Sequence, residues 1–324
     1  MIRPNYLIEI GSEKFSLENG SDVVSIRVIR NIGLPTDSCE VFLVGKKDYS
    51  LKRDDQVEVQ LGYDEELVTV FSGFVDNIEH GIATVRLTAL GIAVDLLRLR
   101  LDRVYLNQTA GKIVCNLASE VDLKIKGVSD GINLPMYVVD YAANAYEHIL
   151  RLAERCNFDA YITDDEKLVF KEWNGGERHR LEYGKEIIRV EELDFSPLYV
   201  GARVYGESPA SIRGSETFHW LTKQEVKGEA GSGEVLSIHD PAIRDKETAE
   251  TVAKAKLDKL KYTFAVVVET VGKPEIKLGD TVTLEGMPNS AIEGELEVRG
   301  IEHYLSKIKG FTTKINCWMK GDAG

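Results

Sequence analysis

The chain of 324 residues is short of cysteine and of positive charge relative to negative, and each shortage removes a class of protein. Its four cysteines, Cys39, Cys115, Cys156 and Cys317, are far apart and form no CxxC pair, so neither a disulfide framework nor a cysteine-based zinc site is expected. Such usage fits synthesis in a reducing cytoplasm. Lys and Arg number 40 against 53 Asp and Glu, a net charge of −13, so no general basic field is available for phosphate backbones and nucleic acid is not an expected partner. Long apolar runs are missing too. Met1-Ile2-Arg3-Pro4-Asn5-Tyr6 carries no apolar leader segment and no stretch approaches a membrane span, so no membrane insertion by this chain is expected.

Catalytic patterns are equally scarce. No HxxxH or HxH spacing occurs beside the histidines, the Gly-rich run at 228–233 is not followed by Lys-Ser/Thr, and no nucleophile elbow or Cys-His pairing is read from local sequence. Three carboxylate pairs, Glu65-Glu66, Asp164-Asp165 and Glu191-Glu192, invite an acid–base reading. Neighbours on a strand point to opposite faces and turn carboxylates are solvated, so each pair reads as surface charge. The expectation is a protein that is not an enzyme, with no catalytic, cofactor or metal residues.

What the chain does have is a pattern that occurs twice. Asp55, Val57, Val59 and Gly62 are followed by Val75 and Ile78-Glu79-His80; Asp280, Val282, Leu284 and Gly286 are followed by Val298 and Ile301-Glu302-His303. Alternation of apolar and polar residues in both copies is the signature of half-buried strands. The shared histidines read as part of a duplicated strand end, not as a site, because they belong to separate modules.

The composition, 43% apolar and 29% charged, suits folded domains, and the length suits two or three of them. Strands are expected at 6–10, 23–32, 39–44, 57–61, 67–78 and 84–90, forming a first β-barrel over 1–100. An α+β insert over 101–183 follows. There Thr109 caps a helix carrying Ile113, Leu117 and Val121, Asn144 and Glu147 open a second with the stripe Tyr146, Ile149, Leu150 and Ala153, and 159–170 forms a hairpin. Strands return at 187–194 and 199–205. A second barrel over 184–320 is interrupted by a loop at 206–240, rich in glycine, and by a helix near 245–261 capped by Asp245, with Ala249, Val252, Ala253, Leu257 and Leu260 inward. The fold class is therefore mainly β with an α+β insert and two similar small antiparallel barrels. Deleting 211–233 is expected to leave that fold intact.

Three stretches resemble the late control D family, the baseplate hub proteins of contractile phage tails, which also form the hub portion of the valine-glycine repeat proteins of type VI secretion. They are Tyr105-Leu106-Asn107-Gln108-Thr109-Ala110-Gly111-Lys112-Ile113-Val114, the run from Asn144 to Glu154 with Phe158-Asp159-Ala160-Tyr161 and Lys167-Leu168-Val169-Phe170, and the run from Gly272 to Val282 with Ile301-Glu302-His303 and Gly310-Phe311-Thr312-Thr313. The resemblance spans the chain in order. It implies a virion or injection-particle protein assembled in the host cytoplasm, acting as a homotrimer between tail tube protein, spike protein and other baseplate components. Because the sequence stops at Gly324, it also implies that the spike is a separate protein. A tail-associated cell-wall-degrading or carbohydrate-binding protein is the alternative, and it predicts that Trp173, Trp220 or Trp318 meets carboxylates in one concavity.

Overall fold

Period-two burial builds the N-terminal part into seven strands. These are β1 (Pro4–Ile10), β2 (Glu13–Ser16), β3 (Val23–Asn31), β4 (Ser38–Val44), β5 (Gln56–Tyr63), β6 (Glu66–His80) and β7 (Thr84–Leu90). The computed structural model describes residues 3–19, 22–34, 36–45, 48–194, 198–208, 225–262 and 264–319. Six of the strands lie on expected segments; β2 was not expected, and it brings Phe15 into the core. Val57, Val59 and Leu61 of β5 point inward with Phe71, Val75 and Leu87, while Leu305 and Phe311 enter the same core from the far end of the chain. The first barrel is therefore closed in part by residues of the second.

A central layer follows: α1 (Ala93–Arg98), β8 (Arg103–Thr109), α2 (Ala110–Ser119), β9 (Lys124–Val128), β10 (Asn133–Val139), α3 (Ala145–Cys156), β11 (Asp159–Ile162) and β12 (Lys167–Lys171). Thr109 caps α2 by accepting from the Lys112 amide at 3.2 Å. Asn144 and Glu147 close a capping box on α3, which ends at the left-handed Asn157. Tyr146, Ile149 and Ala153 are buried as expected, while Leu150 and Val121 are half-buried.

The C-terminal part holds β13 (Arg178–Glu182), β14 (Ile187–Asp194), β15 (Gly201–Tyr205), β16 (Lys227–Gly231), β17 (Val235–His239), α4 (Lys246–Leu260), β18 (Phe264–Val271), β19 (Thr281–Glu285), β20 (Glu295–Ser306) and β21 (Gly310–Met319). Asp245 caps α4 by accepting from the Thr248 amide at 2.8 Å. Ala249, Val252, Ala253 and Ala255 are buried, whereas Leu257 and Leu260 are only half-buried.

The stretch read as a loop at 206–240 needs correction. Of it, 209–224 lies outside the described residues, but β16 and β17 flank β15 in a three-stranded sheet that packs beneath α4. Gly228 is there because a Cβ would run into the backbone of Ala249 and Glu250. The glycine signal marks a close strand–helix approach, not mobility. Val204, Val226, Ile243, Ala249 and Val252 join the central core, so this excursion packs on the insert. Deleting 211–233 removes β16 and strips that face of α4, and the expectation of an intact fold does not stand.

One sheet of 13 strands runs through both barrels in the order β14-β18-β21-β20-β3-β4-β7-β6-β5-β1-β2, with β19 on β20 and β13 on β19. The link is β3 against β20, antiparallel from Ser25↔Ser306 to Asn31↔Gly300.

Candidate docking surfaces

The two copies of the repeat share more than a pattern of residues; they share a register. Gln56↔Phe74 and Val57↔Gly73 pair β5 with β6, and Thr281↔Glu297 and Val282↔Leu296 pair β19 with β20. Next, Val75↔Ala89 and Ile78↔Leu87 correspond to Val298↔Cys317 and Ile301↔Ile315, with a bulge after Val75 and after Val298. Bulges are built features that set twist and aim. The outer strands agree as well. In β3 against β4 the register shifts between Val23 and Ser25, and in β14 against β18 it shifts between Ile187 and Arg189, at the matching place.

The entry turn is duplicated to the atom. Lys52 N donates to Asp55 Oδ2 at 2.8 Å and Lys277 N donates to Asp280 Oδ2 at 2.9 Å. Asp54 and Gly279, one residue earlier, both have positive φ. Asp280 has gained further partners: the Glu177 amide at 3.1 Å and His179 Nε2 at 2.9 Å. Gly62 and Gly286 correspond in position but not in cause. A Cβ at Gly62 would strike the Glu66 carbonyl, whereas Gly286 lies in open space at φ 69°.

The repeated triplets end differently, and the reason is a neighbour. Along β20, the edge that first takes β19 then takes β3, and Ile301 and His303 are buried. Burial and the charge of Arg30 push the His303 imidazole down to about 3, and it stays neutral while its Nδ1 lies 2.9 Å from Thr313 Oγ1. Along β6, the corresponding edge after Val75 carries no strand among the described residues, and Glu79 and His80 are exposed. Neither histidine meets a metal-like set: among the described residues no three His, Cys, Asp or Glu groups are gathered for an ion.

Among the described residues, the counterparts of the β20 and β3 edges are thus open: β6 from 76 to 80, and the outer edge of β14, which pairs with β18 and, past the bridge from Ile187 to Tyr183, with nothing else. Apolar side chains stand exposed around them, Ile82 beside the first and Ile188 and Leu193 on the second. A third apolar face lies on the insert, where Val104 and Leu106 of β8 meet Val138 of β10 across their ladder, each about half exposed. Exposed edges and apolar faces of this kind are covered by a partner or invite aggregation.

The carboxylate pairs do not converge. Glu65 and Glu66 are exposed at the β5–β6 turn. Arg189 holds Glu191 at 2.7 Å, and Asn289 Nδ2 donates to Glu192 at 2.9 Å. Asp164 is ion-paired with the buried Arg30 and, at 3.1 Å, with Lys277, while donation from Lys167 and Thr163 holds Asp165 below the usual carboxylate range. Asp164 and Asp165 do line a cleft of about 510 Å³ with Trp173, Asp159 and Asp280. Trp173 spends its Nε1 on the Gly279 carbonyl at 2.9 Å. Trp318 is elsewhere, beneath the Arg299 guanidinium at 4.5 Å, and Trp220 lies outside the described residues.

Local sequence offered no sign of the buried charges between insert and second barrel. Arg299 Nη1 reaches Asp159 at 2.9 Å and Glu297 at 2.6 Å, and burial followed by the charge of Asp159 raises the Glu297 carboxyl well above its ordinary value. The chain does hold one Gly-x-Ser-x-Gly run, Gly127-Val128-Ser129-Asp130-Gly131. It leaves β9 for β10 with no helix behind it, so it is not a strand–turn–helix nucleophile elbow.

No family model matches the chain, and no curated protein matches it in sequence. Among solved structures it matches the 43 kDa tail protein of prophage MuSo2 from Shewanella oneidensis, with a TM-score of 0.72, 13% identity and coverage of 97% of this chain and 98% of that one. A tail protein from Neisseria meningitidis MC58 gives 0.72 at 12% identity, covering 99% and 97%. The E. coli c3393 protein, a type VI secretion system component described as structurally similar to the T4 bacteriophage tail proteins gp27 and gp5, gives 0.64 at 10% identity, covering 97% and 77%. At these identities the likeness is one of fold.

Proposed function

We propose that this chain is a structural hub of a contractile injection machine, in a phage tail or related particle. Three copies form a ring whose two barrels per chain alternate, so that six similar modules face a sixfold tube and three inserts face a threefold spike. The observation that carries the reading is the matched register of the two barrels, bulge for bulge, within a fold shared end to end with phage tail proteins. Closed symmetry is the usual solution for an assembly that must terminate. In this reading 1–100 and 184–320 are the ring modules and 101–183 is the spike-side insert, on which β15, β16 and α4 pack. Tube protein, spike protein and baseplate components are its partners, within a particle assembled in the host cytoplasm.

Co-expression with the tube and spike proteins of the same particle tests the proposal. A complex with three copies of this chain supports it, and failure of either protein to bind overturns it. The cleft at Trp173 favours a second reading, carbohydrate binding, since an aromatic there stands among carboxylates. Peptidoglycan fragments that bind this chain, with loss on Trp173→Ala, favour that reading.

A further inference from the structure

The seam inside the chain is a template for a contact outside it. β20 and β6 correspond, and so do β3 and β14, but only one of the two possible pairings is made within the chain: β20 takes β3, while β6 and β14 keep open edges. We propose that β14 of one copy adds to the open edge of β6 in the next, repeating the β3–β20 ladder between molecules. The proposal rests on the ring reading above and assigns its contact.

Register follows from the correspondences. Within the chain Ile301↔Arg30, Glu302↔Ile29, His303↔Val28 and Leu305↔Ile26 are opposed. Shifted to the matching positions in β6 and β14, these become 78↔194, Glu79↔Leu193 and His80↔Glu192 across the subunit boundary, and the same shift sets Ile82, in the turn just past β6, against Val190. The last pair is the most telling. Leu305 is 7% exposed because it plugs the neighbouring barrel's core, and Ile82, which the same sequence offset places in the turn past the end of β6, is 103% exposed. Val190, opposite it in the proposed contact, is half-buried against the second barrel's core. Ile82 is thus an apolar plug without a socket in its own chain, and the matching socket lies beside β14. Exposed Leu193 would be covered by the same step.

Two features differ from the template. β6 stops at His80, so the ladder between molecules is shorter than the one within the chain. The Arg27–Glu302 pair at 2.7 Å is not copied, because Glu191 and Glu79 occupy those places. Glu191 has its own cation, Arg189 at 2.7 Å, whereas Glu79 shares Arg86, at 3.4 Å, with Glu40, so this part of the contact holds three carboxylates and two cations. An edge that joins a different edge is head-to-tail, and head-to-tail contacts make closed rings when the rotation closes. In an antiparallel ladder opposed Cα atoms stand about 4.5–5.5 Å apart, within disulfide reach.

The full chain carrying Glu79→Cys and Leu193→Cys, mildly oxidised, is expected to run as a covalent species no larger than three chains on a non-reducing gel. Each single variant, and Glu79→Cys with Ile188→Cys, should run as one chain. Ile82→Asp should shift light-scattering mass toward the monomer while circular dichroism and melting temperature stay unchanged. A trimeric wild type whose double variant does not cross-link overturns this contact and leaves the hub reading standing. A wild type that is monomeric at every concentration, with no cross-link, overturns both. Cross-linked species extending past three chains overturn ring closure.

Discussion

Removing the Asp280 carboxylate should damage the fold far more than removing its twin, Asp55. Both cap the same turn through the amide of a lysine three residues earlier. Asp280, only 8% exposed, also holds the Glu177 amide and His179 and so ties the second module to the segment behind the insert. Hydrogen bonds to a charged acceptor contribute roughly 1.5–3 kcal/mol and are not additive, so Asp280→Ala should cost about 3–4 kcal/mol and the half-exposed Asp55→Ala about 1 kcal/mol. Part of the larger cost depends on pH. The hydrogen bond to Asp280 raises the His179 pKa in the fold, so this pair's stabilisation is fully present below the ordinary histidine value near 6.5 and is lost as pH rises through the raised one. Denaturant unfolding followed by tryptophan fluorescence reports on this region, since Trp173 bonds to the Gly279 carbonyl. The gap between wild type and Asp280→Ala should narrow between pH 5.5 and 8.5. Equal costs at the two sites, or a gap that ignores pH, would refute the reasoning.

Three further outcomes follow from buried groups. His303 is held neutral in the fold, so wild-type stability should fall as pH drops below about 6.5, by up to roughly 1.4 kcal/mol per pH unit, and His303→Gln should flatten that limb in denaturant titrations. Glu297 is the opposite case: its raised pKa means the fold loses stability as pH rises from the ordinary glutamate value through the raised one. Glu297→Gln should match wild type near pH 5 and exceed it by about 1–2 kcal/mol near pH 9 in calorimetric melts. Gly228→Val should cost about 1–3 kcal/mol, because the backbone of Ala249 and Glu250 leaves its Cβ no space; a melting temperature equal to wild type would refute that packing argument.

Much of the fold was legible locally, because alternation and caps act over a few residues. The strands around Val57 and Val59, the Asn144–Glu147 box and the Asp245 cap are of this kind. Glycine misled at 228–233, since the same residue serves flexible chain and tight strand–helix contact, and only the position of α4 distinguishes them. The parallel pairing of β13 with β19 and the Arg30 contacts with Asp37 and Asp164 carry no local mark, being made across the fold. The docking edges were half legible. The repeat was visible, but its use, Leu305 buried where Ile82 is bare, appears only when the register of β3 on β20 is known.

End-on electron microscopy of the purified full-length protein tests the central claim most directly. The account predicts closed rings with threefold symmetry and six lobes of similar size. Isolated monomers, open filaments, or rings with any other number of lobes would contradict it.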